Sequence, residues 1–261
     1  MNVSLKGKNA LVCGSSKGIG RAIAMELAAL GASVTLAARS ADVLAELVTQ
    51  LPNTVDQKHG FLIVDMLNTD DLAKKVRNLT MTRPIHILIN NSGGPAGGPI
   101  MEAKPEEFNQ AMHAHLLASH QLVKLVSSGM KETGYGRIIN IISTSVKEPI
   151  AGLGVSNTTR GAMASWAKTV SFELAPHGIT VNNILPGFTR TERLESLVKI
   201  WAEQKKVSVS EMESQLFEVV PMARFAQAEE VASVAAFLAT PAASYVTGVS
   251  LAVDGGRTKC L

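Results

Sequence analysis

The sequence predicts an α/β fold in which one doubly wound, seven-stranded parallel sheet carries helices on both faces. Three observations predict it. Seven short apolar runs recur along the chain, and most are continuous rather than alternating, as strands buried on both faces are. Longer segments with apolar residues at helical spacing fill the gaps between them. Strand–helix alternation of this kind builds right-handed crossovers around one sheet. The chain has 261 residues, 46% of them hydrophobic, enough for a single domain over 1–261 with a large core.

The elements follow in order. "NALVC" (9–13) is the first strand, and a glycine-bearing turn leads to a helix over 19–30. "SVTLAA" (33–38) is followed by a helix over 41–50, "GFLIV" (60–64) by 70–79, and "IHILI" (85–89) by a long pattern over 105–130. "RIINII" (137–142) precedes a helix over 158–174, "TVNNIL" (180–185) precedes 228–239, and "VSLAV" (249–253) closes the sheet. Residues 190–222 break the rhythm, because they contain no strand and read as two amphipathic helices. Ser208 or Ser210 caps the second, since Glu follows three residues later in both cases. An insertion after the carboxyl end of a strand is where a substrate cover sits, although extra packing accounts for the same residues. In "GLGVSNTTRGAMASWAK" (152–168) a polar cluster, Ser156 to Arg160, directly precedes the helical pattern. Those two residues are four apart and share one face if the helix starts early.

Composition removes several classes of function. The net charge of +3 is mild, the cations are scattered and only 4% of residues are aromatic, so no nucleic-acid surface is expected. Cys13 lies in an apolar run and Cys260 in the tail, with neither disulfide nor metal-ligand spacing, which predicts a reduced, cytoplasmic setting and no metal. The N-terminal stretch has no apolar segment of membrane-spanning length.

The first strand runs into "GSSKGIG", with Gly14, Gly18 and Gly20 before the helix. A strand, a tight glycine turn and a helix N-terminus present backbone N–H groups and the positive dipole end to a pyrophosphate. This is the dinucleotide-binding turn of a Rossmann fold, spaced G-x-x-x-G-x-G. The second strand ends "LAARS", where an NAD site usually carries an acidic residue for the ribose 2′-hydroxyl. Here stands Arg39, with Lys17 in the turn, and two cations without a carboxylate suit the 2′-phosphate of NADP(H) rather than NAD(H). Asp65, after the third strand, is placed to accept from the adenine amino group, and "NNSGG" (90–94) turns beside the adenosine ribose.

With "GSSKGIG", "VDM", "NNSGG", "GRIINIIS", "ELAPHGITVNNILPGFTRT", "RFAQAEEVASVAAFLAT" and "ASYVTGVSLAVDGG" in order, the chain resembles a short-chain dehydrogenase/reductase of the β-ketoacyl-carrier-protein-reductase-like type. The resemblance implies cofactor contacts at Gly14, Ser16, Lys17, Gly18, Ile19, Gly20, Arg39, Asp65, Met66, Asn91, Gly93, Arg160, Pro186, Gly187, Thr189 and Thr191. It implies hydride transfer from the reduced nicotinamide to a carbonyl carbon. It also implies four catalytic positions: Asn, Ser, and a Tyr and Lys spaced Y-x-x-x-K. Ser143 matches the serine, but Ser156 stands at the tyrosine position, Arg160 at the lysine and His115 at the asparagine. Neither tyrosine of the chain, Tyr135 or Tyr245, falls at the acid's position.

A serine hydroxyl is not an acid near neutral pH, unlike a phenol with a reference pKa of about 10. Arg stays protonated, so Arg160 binds ribose hydroxyls or an oxyanion without giving up its proton. His115 offers a group titrating near pH 6.5, or fills space in a helix. Lys147, after Ser143, is a further cation or an exposed loop residue. The reading is an NADP(H)-dependent oxidoreductase with an atypical catalytic site, acting on a small carbonyl, alcohol or acyl substrate. The alternatives are a catalytically silent dinucleotide-binding sensor or partner subunit, and a fold that no longer holds a nucleotide. The resemblance further implies a homotetramer or homodimer built on the two long helices.

Overall fold

The computed structural model describes residues 1–260, and its framework is one seven-stranded, wholly parallel sheet. The strands are β1 (Asn9–Cys13), β2 (Ser33–Ala38), β3 (Gly60–Ile63), β4 (Ile87–Asn90), β5 (Gly136–Ile141), β6 (Ile179–Pro186) and β7 (Ser250–Val253). Their order across the sheet is β3-β2-β1-β4-β5-β6-β7. The order reverses between β1 and β4, and that switch point opens a crevice at the carboxyl ends of the strands.

Side chains on the central strands alternate between two helix layers. Ala10, Val12, Val34 and Leu36 pack toward α1 (Gly18–Ala29), α2 (Ala41–Gln50) and the final helix. Leu11, Cys13 and Ala37 point the other way, toward α3 (Thr69–Thr82) and the two long helices. Both faces are covered, which is why these strands read as unbroken apolar runs. The long helices are α4 (Pro105–Met112) with its continuation α5 (Ala118–Thr133), and α6 (Gly154–Leu174). The insertion forms α7 (Glu192–Lys205) and α8 (Val209–Glu218), and α9 (Ala228–Ala239) packs beside α1.

Two expectations need correction. The pattern over 105–130 is not one regular helix: residues 113–117 form a wide π turn between α4 and α5. A single five-residue turn is too short for its change of period to stand out in the apolar pattern, so periodicity does not reveal it. Helix α6 starts at Gly154, four residues earlier than the apolar pattern indicates. The polar cluster stays helical because its hydroxyls bond within the helix: Thr158 and Thr159 donate to the carbonyls of Gly154 and Val155 at 3.1 and 2.9 Å. Gly154 is required here, because a Cβ would meet Ile100 at 2.5 Å. Of the two candidate caps of α8, Ser208 is the one used, accepting from the Glu211 N–H at 3.1 Å.

Beneath the crevice, at matched register, runs a buried ladder of amides. Asn90 donates to Asn140 (2.8 Å), Asn140 to Asn183 (2.9 Å) and Asn183 to Ser250 (3.0 Å), tying β4, β5, β6 and β7 together.

Candidate active site

The crevice is a cavity of about 850 Å³, within the range of small-ligand and cofactor sites. Its floor is the glycine turn between β1 and α1. Gly14 has φ +58°, and a Cβ there would lie 2.7 Å from the Asn91 carbonyl oxygen; one on Gly20 would lie 2.2 Å from the Gly14 carbonyl oxygen. Gly14 and Gly20 therefore let the β4 loop and α1 close onto the turn, and Gly20 lies beneath the cavity rather than in its wall. The Asn91 amide donates to the carbonyls of Gly14 (3.1 Å) and Cys13 (3.3 Å), locking the two loops together. No side chain caps the first turn of α1. Its N–H groups, with Ser16, Gly18 and Ile19 around them in the wall, suit a pyrophosphate.

One end of the cavity is lined by Arg39, Asp65 and Met66, after β2 and β3. Arg39 is exposed and pairs with no carboxylate among the described residues. Lys17 also lines the cavity, but its ammonium is ion-paired to Glu192 at the start of α7, away from Arg39. Asp65 accepts from the Leu67 N–H at 3.0 Å, which fixes its carboxylate at the β3 exit.

Toward the other end come Asn91, Gly93, Pro186, Gly187, Thr189 and Thr191. Gly187 permits a close crossing, since a Cβ would meet the Asp254 Cα at 2.6 Å. The Thr191 hydroxyl accepts from the Leu194 N–H at 3.3 Å and caps α7.

Ser143, Ser156 and Arg160 line the same cavity. The early start of α6 puts Ser156 and Arg160 one helical turn apart on the face that looks into it. Ser143 Oγ accepts from the Ser145 N–H at 3.1 Å, leaving its own proton to donate. Arg160 is only 7% exposed, donates to the Ile141 carbonyl at 3.1 Å and has no carboxylate partner among the described residues. Burial, and secondarily the Arg193 cation, bring its pKa down to about 10, so it remains a cation at neutral pH.

His115 does not meet the expectation of a group titrating near pH 6.5. It is 3% exposed in the π turn and is not part of the cavity wall. Burial, and secondarily the Arg160 cation, push its pKa down to about 2. It is neutral and shares a 2.5 Å hydrogen bond between Nδ1 and Ser92 Oγ, and Ser92 does line the cavity. Lys147 is not in the wall. Neither tyrosine is: the Tyr135 hydroxyl donates to the Ala239 carbonyl at 2.6 Å, and Tyr245 is fully exposed.

Among the wall residues that escaped the sequence reading are Phe188, Arg193, Trp201 and Arg257. Phe188 and Trp201 carry an apolar cluster with Leu194, Val198, Met212 and Phe225 that joins α7 and α8 to the sheet. Arg193 donates to the Pro95 carbonyl at 2.5 Å. Its proximity to Arg160 about Gly94 was not legible, because β4, α6 and α7 bring the three together only in the fold.

The comparisons agree with this architecture. The family model described as enoyl-(acyl carrier protein) reductase matches residues 14–258. An NADPH-dependent reductase, BacG of Bacillus subtilis, is 33% identical over 97% of this chain and 99% of its own. The 3-oxoacyl-[acyl-carrier-protein] reductase FabG of Pseudomonas aeruginosa is 32% identical over 97% of this chain and 98% of its own. L-sorbose reductase from Gluconobacter frateurii, solved with NADPH and L-sorbose, superposes with a TM-score of 0.93 at 30% identity over the full length of both chains. The chain belongs to the short-chain dehydrogenase/reductase family. Within that family its relatives include NADPH-dependent reductases, and its own class is oxidoreductase.

Proposed function

We propose that this protein is an NADP(H)-dependent oxidoreductase that reduces a small carbonyl or acyl substrate, or runs the reverse oxidation, without a tyrosine proton donor. The observation that carries the reading is the joining of a glycine turn fit for a pyrophosphate to Ser143, Ser156 and Arg160 in one cavity. The residues suit the cofactor: Gly14 and Gly20 leave no room for a side chain, α1 presents an uncapped N-terminus, and Arg39 is a free guanidinium for the 2′-phosphate. Ser16, Lys17, Gly18, Ile19, Asp65, Met66, Asn91, Gly93, Pro186, Gly187, Thr189 and Thr191 complete that cradle in this reading.

When bound, NADPH supplies the hydride. The protein's part is to hold the acceptor oxygen and its growing negative charge. Ser143 donates a hydrogen bond to that oxygen, and the Arg160 cation stabilises it or holds the nicotinamide ribose. Ser156 leaves the space of an absent phenol open to water, which completes the proton path. The His115–Ser92 pair braces the wall beside Arg160 and takes up no further proton near neutrality. Helix α7 covers the substrate end through Leu194, Leu197 and Trp201, and α8 packs behind it through Met212. We further read the protein as cytoplasmic and as a homotetramer or homodimer built on α4–α5 and α6. No helix of the described residues is long and apolar enough to cross a membrane.

A second reading, a silent dinucleotide-binding sensor or partner subunit, is favoured by one observation: among the described residues no tyrosine lines the cavity, and its carboxyl groups, Asp65 and Glu192, are engaged by the Leu67 N–H and by Lys17. Titration with NADPH, followed by NADPH consumption over a broad carbonyl panel, separates the two. Binding with enzyme-dependent consumption supports the oxidoreductase; binding with no consumption anywhere rejects it. Absence of binding rejects both.

A further inference from the structure

We propose that the substrate of this site carries a carboxylate, and that Arg257 is the residue that recognises it. The inference rests on the oxidoreductase reading and names its substrate class. Arg257 follows β7 in the C-terminal tail, yet its guanidinium reaches back over the sheet into the cavity wall. There Nη1 donates to Thr144 Oγ1 at 3.3 Å, next in sequence to Ser143, and the guanidinium lies 5.1 Å from the centre of the Phe188 ring. It is half-buried and no carboxylate lies within ion-pair distance among the described residues.

The nearest acid is already committed. Asp254 accepts from the Thr258 hydroxyl (2.6 Å), the Thr258 N–H (2.8 Å) and the Gly256 N–H (3.0 Å), closing the turn that carries Arg257. Beyond it, the Lys259 N–H donates to Glu148, in the loop after Ser143, at 2.6 Å. The tail is thus pinned at both sides of Arg257, which lowers the entropic cost of binding an anion there.

The cofactor phosphates do not account for this cation. Arg39 leaves β2, whereas Thr144 leaves β5, three strand positions away in the sheet, or about 14 Å at the usual inter-strand spacing. The pyrophosphate position is at the α1 N-terminus after β1. Arg257 therefore stands at the reacting end, bonded to Thr144 next to Ser143 in the chain. A guanidinium fork pairs with a carboxylate through two parallel bonds. Phe188 and Trp201, in the same wall, give the body of the substrate an apolar surface.

The test measures binding of benzoylformate, benzoylpropionate and benzoylbutyrate, each beside its methyl ester, to the NADP⁺-saturated protein by calorimetry. At least one acid is expected to bind about tenfold or more tightly than its ester, the scale of a charge-assisted hydrogen bond. Arg257→Gln is expected to bring that acid to the affinity of its ester, and Arg257→Lys to retain part of the preference. Equal binding of acids and esters, no binding of either, or a preference that survives Arg257→Gln overturns the proposal. Failure of NADP⁺ itself to bind counts against the oxidoreductase reading instead; the acid–ester comparison is then made on the free protein by the same criteria.

Discussion

At the scale of single residues, His115 shows how burial decides chemistry. An imidazole at 3% exposure next to a buried guanidinium pays heavily for a proton, and its pKa falls from 6.5 to about 2. The unfolded chain still protonates it near 6.5. Below that pH the unfolded state binds more protons, so stability present above pH 6.5 is lost as pH falls toward 2. Between pH 7 and pH 5 this one group accounts for about 2 kcal/mol of lost stability. Urea unfolding at the two pH values checks it: His115→Asn is expected to lose about that much less than the native protein, and an identical loss refutes the assignment. Arg39 carries a second prediction. With Lys17 engaged by Glu192, Arg39 is the cation free for a 2′-phosphate. Arg39→Asp is expected to weaken NADPH binding at least about tenfold and to change NADH binding little, a contrast read directly from fluorescence titrations. Equal effects on both would remove Arg39 from the site. Ser143, Ser156 and Arg160 were legible because each falls at a fixed distance from a recognisable motif. Arg257 was not, because its significance arises from a contact with Thr144, 113 residues away in the chain.

At the scale of elements, all seven strands were legible within a few residues, since each is a short, predominantly apolar run bounded by turn signals. The helix boundaries were less so. The start of α6 was hidden by polar residues that bond within the helix, and the π turn was hidden because a single five-residue turn is too short to show as a change of period. The asparagine ladder was equally invisible, because Asn90, Asn140 and Asn183 line up only once β4, β5 and β6 are in register. It stiffens the part of the sheet that carries Ser143 and the β6 exit. Asn140 both accepts and donates in it, so Asn140→Ala leaves the Asn90 donor and the Asn183 acceptor without partners. Each orphaned buried group costs about 1–3 kcal/mol, and a loss of roughly 3 kcal/mol in urea unfolding is expected. A loss below about 1 kcal/mol would indicate that the ladder holds little of the sheet together.

At the scale of the whole molecule, sheet order, glycine turn and cavity form one device. The reversal between β1 and β4 opens the crevice, α1 offers its N-terminus to one part of it, and α6 presents Ser156 and Arg160 to another. In this reading the scaffold is fit for hydride transfer, and the missing tyrosine and lysine are what limit its rate. The double variant Ser156→Tyr with Arg160→Lys tests it directly, through NADPH-dependent ketone reduction at matched cofactor saturation. A gain of about 10²- to 10⁴-fold over the native protein is expected, the usual contribution of a positioned general acid. A variant that folds, binds NADPH and reduces ketones no faster than the native protein would contradict it.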